Sequence, residues 1–137
     1  REEMILRLKT TADIENKLSE LDRKIKLSSK ASIMRLAIAC SLKLNGDPRI
    51  KDSEMRHYEI KNQDGLDYQR LTVLGQMEEY YRLLMVEFAQ KEISDDEFFP
   101  ELTYYHIERG LNYLYSEYRY LDNKEKFFNK LIDLSNK

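Results

Sequence analysis

The spacing of apolar positions changes along the chain. In residues 4–9, Met4, Leu6 and Leu8 alternate with Ile5, Arg7 and Lys9, the two-residue period of a short half-buried strand. Beyond it the period lengthens. Ile14, Leu18, Leu21 and Ile25 recur at 4-3-4 spacing and predict an amphipathic helix, with Thr10 or Thr11 as its cap. Ser28 and Ser29 are caps for a second helix. Its apolar residues Ile33, Leu36, Ala37, Cys40 and Leu44 spread round more of the circumference, so it should be better buried. Asn45-Gly46-Asp47-Pro48 supplies turn chemistry to end it.

Residues 49–69 are polar and poorly periodic and read as a long connection. Helical spacing returns with Leu74, Met77, Tyr81, Leu84 and Phe88. Ser94 and Glu97 have the spacing of a capping box, and Pro100 suits a first helical turn. Ile107, Leu111, Leu114, Tyr118 and Leu121 form another stripe. Asp122 and Glu125 are caps for a last helix with Phe127, Phe128, Leu131 and Leu134. The expected fold is one mainly α domain over 1–137. A ribbon-helix-helix-like strand-helix-helix comes first, and about three further helices follow.

Composition narrows the function classes. The chain has 137 residues, enough for one domain with a substantial core. No apolar run reaches the roughly 18 residues of a membrane helix, and no leader pattern is legible at the front. A single cysteine, Cys40, excludes an internal disulfide and suits a reducing, cytoplasmic setting. Two histidines leave little for a metal centre or an acid–base relay, and four glycines leave little for a phosphate-cradling loop. The expectation is a protein with no cofactor, no metal and no enzymatic activity.

Charge adds an asymmetry that the net −2 conceals: residues 1–49 balance at +4 and 50–137 at −6. Lys17, Arg23, Lys24, Lys26, Lys30, Arg35 and Lys43 face only Glu20 and Asp22 within 17–43. A basic part, 1–44, on an acidic, aromatic part, 70–137, is a candidate polyanion footprint; the competing reading is a solvated helix face. A lone strand leaves its backbone groups unpaired, and antiparallel pairing with the same strand of a second chain would satisfy them. Outward residues of such a ribbon, here Ile5, Arg7 and Lys9, can read DNA, and Ser28, Ser29 and Lys30 at a helix start can clamp phosphate. The alternative is a helical hairpin with an extended arm. The candidate DNA-binding residues are Arg7, Lys9, Lys17, Arg23, Lys24, Lys26 and Lys30.

The remaining chemistry-bearing residues favour structural roles. Eight of the ten tyrosines crowd the acidic part at helical spacing, which fits packing in a core or between subunits better than base stacking. His106 with Glu108 and Arg109 has no partner nucleophile. His57 has no second ligand at metal spacing. Asp95, Asp96 and Glu97 suit a helix start, where the dipole favours negative charge. Cys40 shares a face with apolar neighbours and reads as a small buried hydrophobe.

Residues 65–75 read Gly-Leu-Asp-Tyr-Gln-Arg-Leu-Thr-Val-Leu-Gly. This segment resembles the central signature of the DndE family of bacterial DNA phosphorothioation systems, with Arg70, Thr72, Leu74 and Gly75 matching. The segment from His106 to Arg109-Gly110 is similar to the family's His-x-x-Arg-Gly, and Ser41-Leu42 resembles the end of its second helix. The likeness runs over roughly residues 4–121. Where the family often has Thr-Gly-Leu and a proline before the second helix, this chain has Ile25-Lys26-Leu27-Ser28-Ser29. Gly65 suits a turn with positive φ. Gly75 within a helix would need close packing or a turn to justify it. Arg70 can pair with acids of the body or reach DNA, and the acidic surroundings favour pairing.

The resemblance implies a helical, oligomeric, non-catalytic subunit, associated with tetramers and with nicked duplex DNA. It would work beside a cysteine desulfurase and an ATP-using sulfur-transfer subunit. The expected function is a DNA-binding accessory subunit of the phosphorothioation, or sulfur-modification, machinery, holding duplex or nicked DNA on a basic face. The alternatives are a ribbon-helix-helix repressor and a scaffold that binds partner proteins without DNA.

Overall fold

The computed structural model of the protein describes residues 4–26, 29–121 and 124–136, so Ser28 and Asp122, two expected caps, lie outside the described residues. Helix α1 spans Ala12–Ile25 and α2 spans Lys30–Lys43. Of the two threonines, Thr11 caps α1, accepting from the Ile14 amide at 3.2 Å, and Ser29 caps α2 through the Ser32 amide at 3.2 Å. Lys26 ends α1 in the left-handed region, its N–H returning to the Asp22 carbonyl. The α1 stripe is buried as its spacing predicts. In α2, Met34, Ile38 and Leu42 are buried as well as Ile33, Ala37 and Cys40, which makes it the central helix. Leu36 is only half-buried and Leu44 is exposed, so neither is core.

The strand-helix-helix order holds, but the expected ribbon does not. Strand β1, Arg7–Lys9, finds its partner in its own chain: residue pairs Arg7 and Gln69, Leu8 and Tyr68, and Lys9 and Asp67 face each other in an antiparallel ladder. Those partners form β4, Asp67–Gln69, within the stretch read from sequence as an unstructured connection. The same stretch holds a hairpin of β2, Ile50–Lys51, and β3, Glu54–Met55. Asp52 and Ser53 turn it with positive φ, as a tight hairpin requires. On the other edge of β1, the Tyr58 hydroxyl accepts from the Lys9 amide at 2.8 Å. Of the apolar side of the strand only Leu8 is buried; Met4 and Leu6 face solvent.

The periodic run beginning at Leu74 is not one helix. Helix α3, Arg70–Leu74, stops at Gly75 (φ 60°, ψ −144°), and α4 begins at Glu78 and runs to Ala89. Gly75 thus serves as a turn, at a φ that side chains disfavour. Gly65 carries no positive φ; a Cβ there would run into Thr10 and Thr11, so close approach is its reason. A kinked helical segment, Glu97–Leu102, carries Phe98 and Phe99 into the core, and Pro100 follows the non-helical Phe99 at the start of the turn that leads into the next helix, in keeping with its first-turn preference. Helix α5, Thr103–Leu121, lies along α2, while α6, Lys124–Ser135, closes the end with buried Phe127 and Leu134.

Candidate nucleic-acid interface

The two signature-like segments resolve into fasteners of the fold. Arg70 is 3% exposed, and its guanidinium uses all five donors. It meets Glu78 through Nε at 2.8 Å and Nη2 at 2.9 Å. It meets Asp95 at 2.8 and 3.1 Å, and it reaches the Ile5 carbonyl at 3.0 Å. The rings of Phe98 and Phe99 flank it. This guanidinium holds the Asp95 carboxyl below its usual range. Arg70 therefore ties the N-terminal arm to α4 and to the approach to α5, and it has no donor left for a ligand.

The second segment fastens α5 to α2. Arg109 donates through Nε to the Ser41 hydroxyl at 2.8 Å and through its terminal nitrogens to the carbonyls of Ser41, Asn45 and Gly46. It thereby caps the carbonyl end of α2. His106 Nδ1 lies 2.8 Å from the same Ser41 hydroxyl. The ring and the Arg109 guanidinium thus share one hydroxyl, and burial keeps the ring neutral. Burial pushes the His106 pKa down to about 3, and the Arg109 charge adds to this. Gly110 lets the two helices touch: a Cβ there would overlap the Ala37 backbone.

A further buried arginine was invisible in the sequence. Arg49, 2% exposed, binds Asp47 at 2.7 Å, Glu97 at 2.8 Å and Glu101 at 3.0 Å. Ser94 does accept from the Glu97 amide at 3.2 Å, as the capping box predicts. The Asp95 and Glu97 carboxylates, however, go to arginines rather than to a helix dipole. His57 meets one carboxylate, Glu101. Among the described residues, no group of three His, Cys, Asp or Glu side chains is placed to hold a metal. Tyr104 and Tyr105 are buried, and Tyr113, Tyr115 and Tyr118 are half-buried, in keeping with packing.

The candidate cations divide by what they touch. Lys17 is held by Asp13 at 2.9 Å and by Asn112 at 2.6 Å. Lys30 reaches Glu15 at 3.3 Å, and that carboxylate also accepts from Tyr68. Arg23 and Lys24 approach Glu20 only at 3.9 and 3.8 Å. Arg7 and Lys26 are exposed, Lys9 is half-buried, and Arg7 lines an open groove with Ile5, Tyr58 and Pro100. Arg119 on α5, absent from the sequence-based set, joins the α1 cations across a groove. Its charge gave no signal because the sequence does not show which helices are neighbours.

A family model described as DNA sulphur modification protein DndE matches residues 7–121. The chain belongs to the DndE family. Its members are accessory proteins of DNA sulfur modification. No curated protein matches the sequence. Among solved structures, the fold is similar to that of DndE from Escherichia coli B7A, a protein involved in DNA phosphorothioation modification. The two share 15% identity over 82% of this chain and 99% of that one, with a TM-score of 0.53. Helix α6 lies beyond the matched DndE segment, yet it buries Phe127 against Tyr118 and is part of the same core. No helix among the described residues is long and apolar enough to cross a membrane.

Proposed function

We propose that this DndE chain is a DNA-binding accessory subunit of the phosphorothioation machinery, with no chemistry of its own. It holds duplex or nicked DNA while a cysteine desulfurase and an ATP-using sulfur-transfer subunit perform the reaction. The observation that carries the reading is the division of the cations within a DndE fold. Lys17 and Lys30 are bound to neighbours and support the helices. Arg7, Lys9, Arg23, Lys24 and Lys26 stay near solvent without a short carboxylate contact, available to phosphates. The exposed apolar residues Leu71, Met77, Tyr80 and Leu83 support assembly into a homo-oligomer, which repeats the cations on each copy.

The test is binding of random duplex, nicked duplex and single-stranded DNA across a salt series, with light scattering on the same sample. The expected result is salt-sensitive binding by an oligomer with little sequence preference. Lys24→Glu with Lys26→Glu should weaken it, flattening the log–log salt slope by about one unit per lost contact. Unchanged affinity and slope would make the basic face a solvated surface. A 16.5 kDa monomer at micromolar concentration would remove the oligomer.

A further inference from the structure

Between α1 and α5 runs an open groove of about 580 Å³ lined by Lys17, Glu20, Arg23, Tyr115 and Arg119, among others. Glu20 stands in the middle of its cations. Arg23 and Lys24, three and four residues along α1, approach it at 3.9 and 3.8 Å, beyond hydrogen-bonding range. From α5 the Tyr115 side chain helps to hold the Glu20 carboxyl below its usual range, and Tyr115 lines the same groove. Arg119 lies over the Tyr115 ring at 5.5 Å and adds its charge. Three cations therefore surround one carboxylate that gives Arg23 and Lys24 no short bond. Elsewhere on α1 the pairing is tight, as in Lys17 with Asp13 at 2.9 Å.

Loose, half-exposed pairs of this kind hold their ions weakly. A phosphodiester carries the same single charge on two outward oxygens and is recognised by the same guanidinium and ammonium donors. Building on the DNA-binding reading above, we propose that the α1–α5 groove is a subsite for the DNA phosphodiester backbone. Arg119, Arg23 and Lys24 are its donors, and Glu20 is a built-in competitor that the phosphate displaces. The carboxylate offsets part of the cations' charge when DNA is absent and lowers affinity by repelling the incoming phosphate. Arg119 belongs to the interface although it lies on the acidic half of the sequence.

The experiment measures affinity of the full chain for a short random duplex and its nicked form by fluorescence anisotropy across salt. Glu20→Gln should bind about fivefold tighter at low salt, the scale of one exposed ion pair. Arg119→Ala should bind more weakly, with a log–log salt slope flatter by about one unit. Glu79→Gln removes the same charge from an exposed position on α4 and should change affinity by no more than about twofold, because a distant charge is screened. The subsite is overturned if Glu20→Gln binds no tighter than Glu79→Gln, or if Arg119→Ala matches wild type in affinity and slope. In those outcomes wild type still binds, so the DNA-binding reading survives. Wild type that binds neither DNA overturns that reading, and this one with it.

Discussion

Gly110 on α5 rests directly on the backbone of Ala37 on α2, so closely that a Cβ would overlap the Ala37 carbonyl. The contact explains a glycine in mid-helix, where it otherwise costs about 1 kcal/mol relative to alanine. Gly110→Ala should force the helices apart and destabilise the fold by about 1–3 kcal/mol, as overpacked cores do, with backbone rather than a flexible side chain in the way. Denaturant unfolding measures it. A variant as stable as wild type would show that α2 and α5 separate at no cost.

His106 makes stability depend on pH in a defined direction. In the unfolded chain a histidine takes up a proton as pH falls through about 6.5. In the folded protein the ring stays neutral until about 3. The unfolded state therefore binds more protons over that window, and the folded state loses stability as pH falls. Between pH 6.5 and 5, above the range of the carboxylates, the slope should approach about 1.4 kcal/mol per pH unit. His106→Asn can still hydrogen-bond Ser41 but cannot titrate. Its stability should be lower at pH 7 and flatter across that interval. An equal slope in both proteins would assign the titration elsewhere.

The helical skeleton was readable in the sequence because α1 and α2 carry it in their own residues: periodic apolar positions and a Thr or Ser cap, with a glycine-containing turn after α2. The small sheets were not readable. Strand β4 has three residues, and its pairing with β1 across most of the N-terminal half is a backbone contact. Gly75 interrupted a helical period that continued on both sides, since a period records side-chain placement and not φ. For the site, the sequence showed which residues were charged but not which charges were spent. Acidic surroundings favoured pairing for Arg70, but neither Arg49 nor Arg70 shows its burial or its partners in a string of letters. Only the packing shows that these two sit among carboxylates under the core while Arg7 faces solvent.

Arg70 should therefore matter for folding and not for DNA. Arg70→Ala leaves Glu78 and Asp95 without their shared cation and frees the arm at Ile5. The loss should be about 2–4 kcal/mol, below that for a fully buried pair because both carboxylates are partly solvated. Arg70→Lys should rescue little, since one ammonium cannot supply five donors in a plane. Thermal unfolding of both variants decides it. A stable Arg70→Ala protein with weakened DNA binding would return this residue to the interface.

The last expectation concerns sulfur. Cys40 is 5% exposed within the core, and burial pushes its thiol up to about 11. It sits near the carbonyl end of α2, where the helix dipole also disfavours an anion. A sulfur carrier needs an accessible thiolate, usually beside a cation or at a helix start. Under the accessory reading, cells with the full machinery should keep phosphorothioating their DNA when they carry Cys40→Ser. The only cost should be about 1–2 kcal/mol of stability from placing a hydroxyl in apolar surroundings. The measurement is the content of sulfur-linked dinucleotides in digested DNA, with unfolding of the purified variant as its control. A folded Cys40→Ser protein that binds DNA yet abolishes modification would place this thiol in the sulfur relay and end the accessory reading.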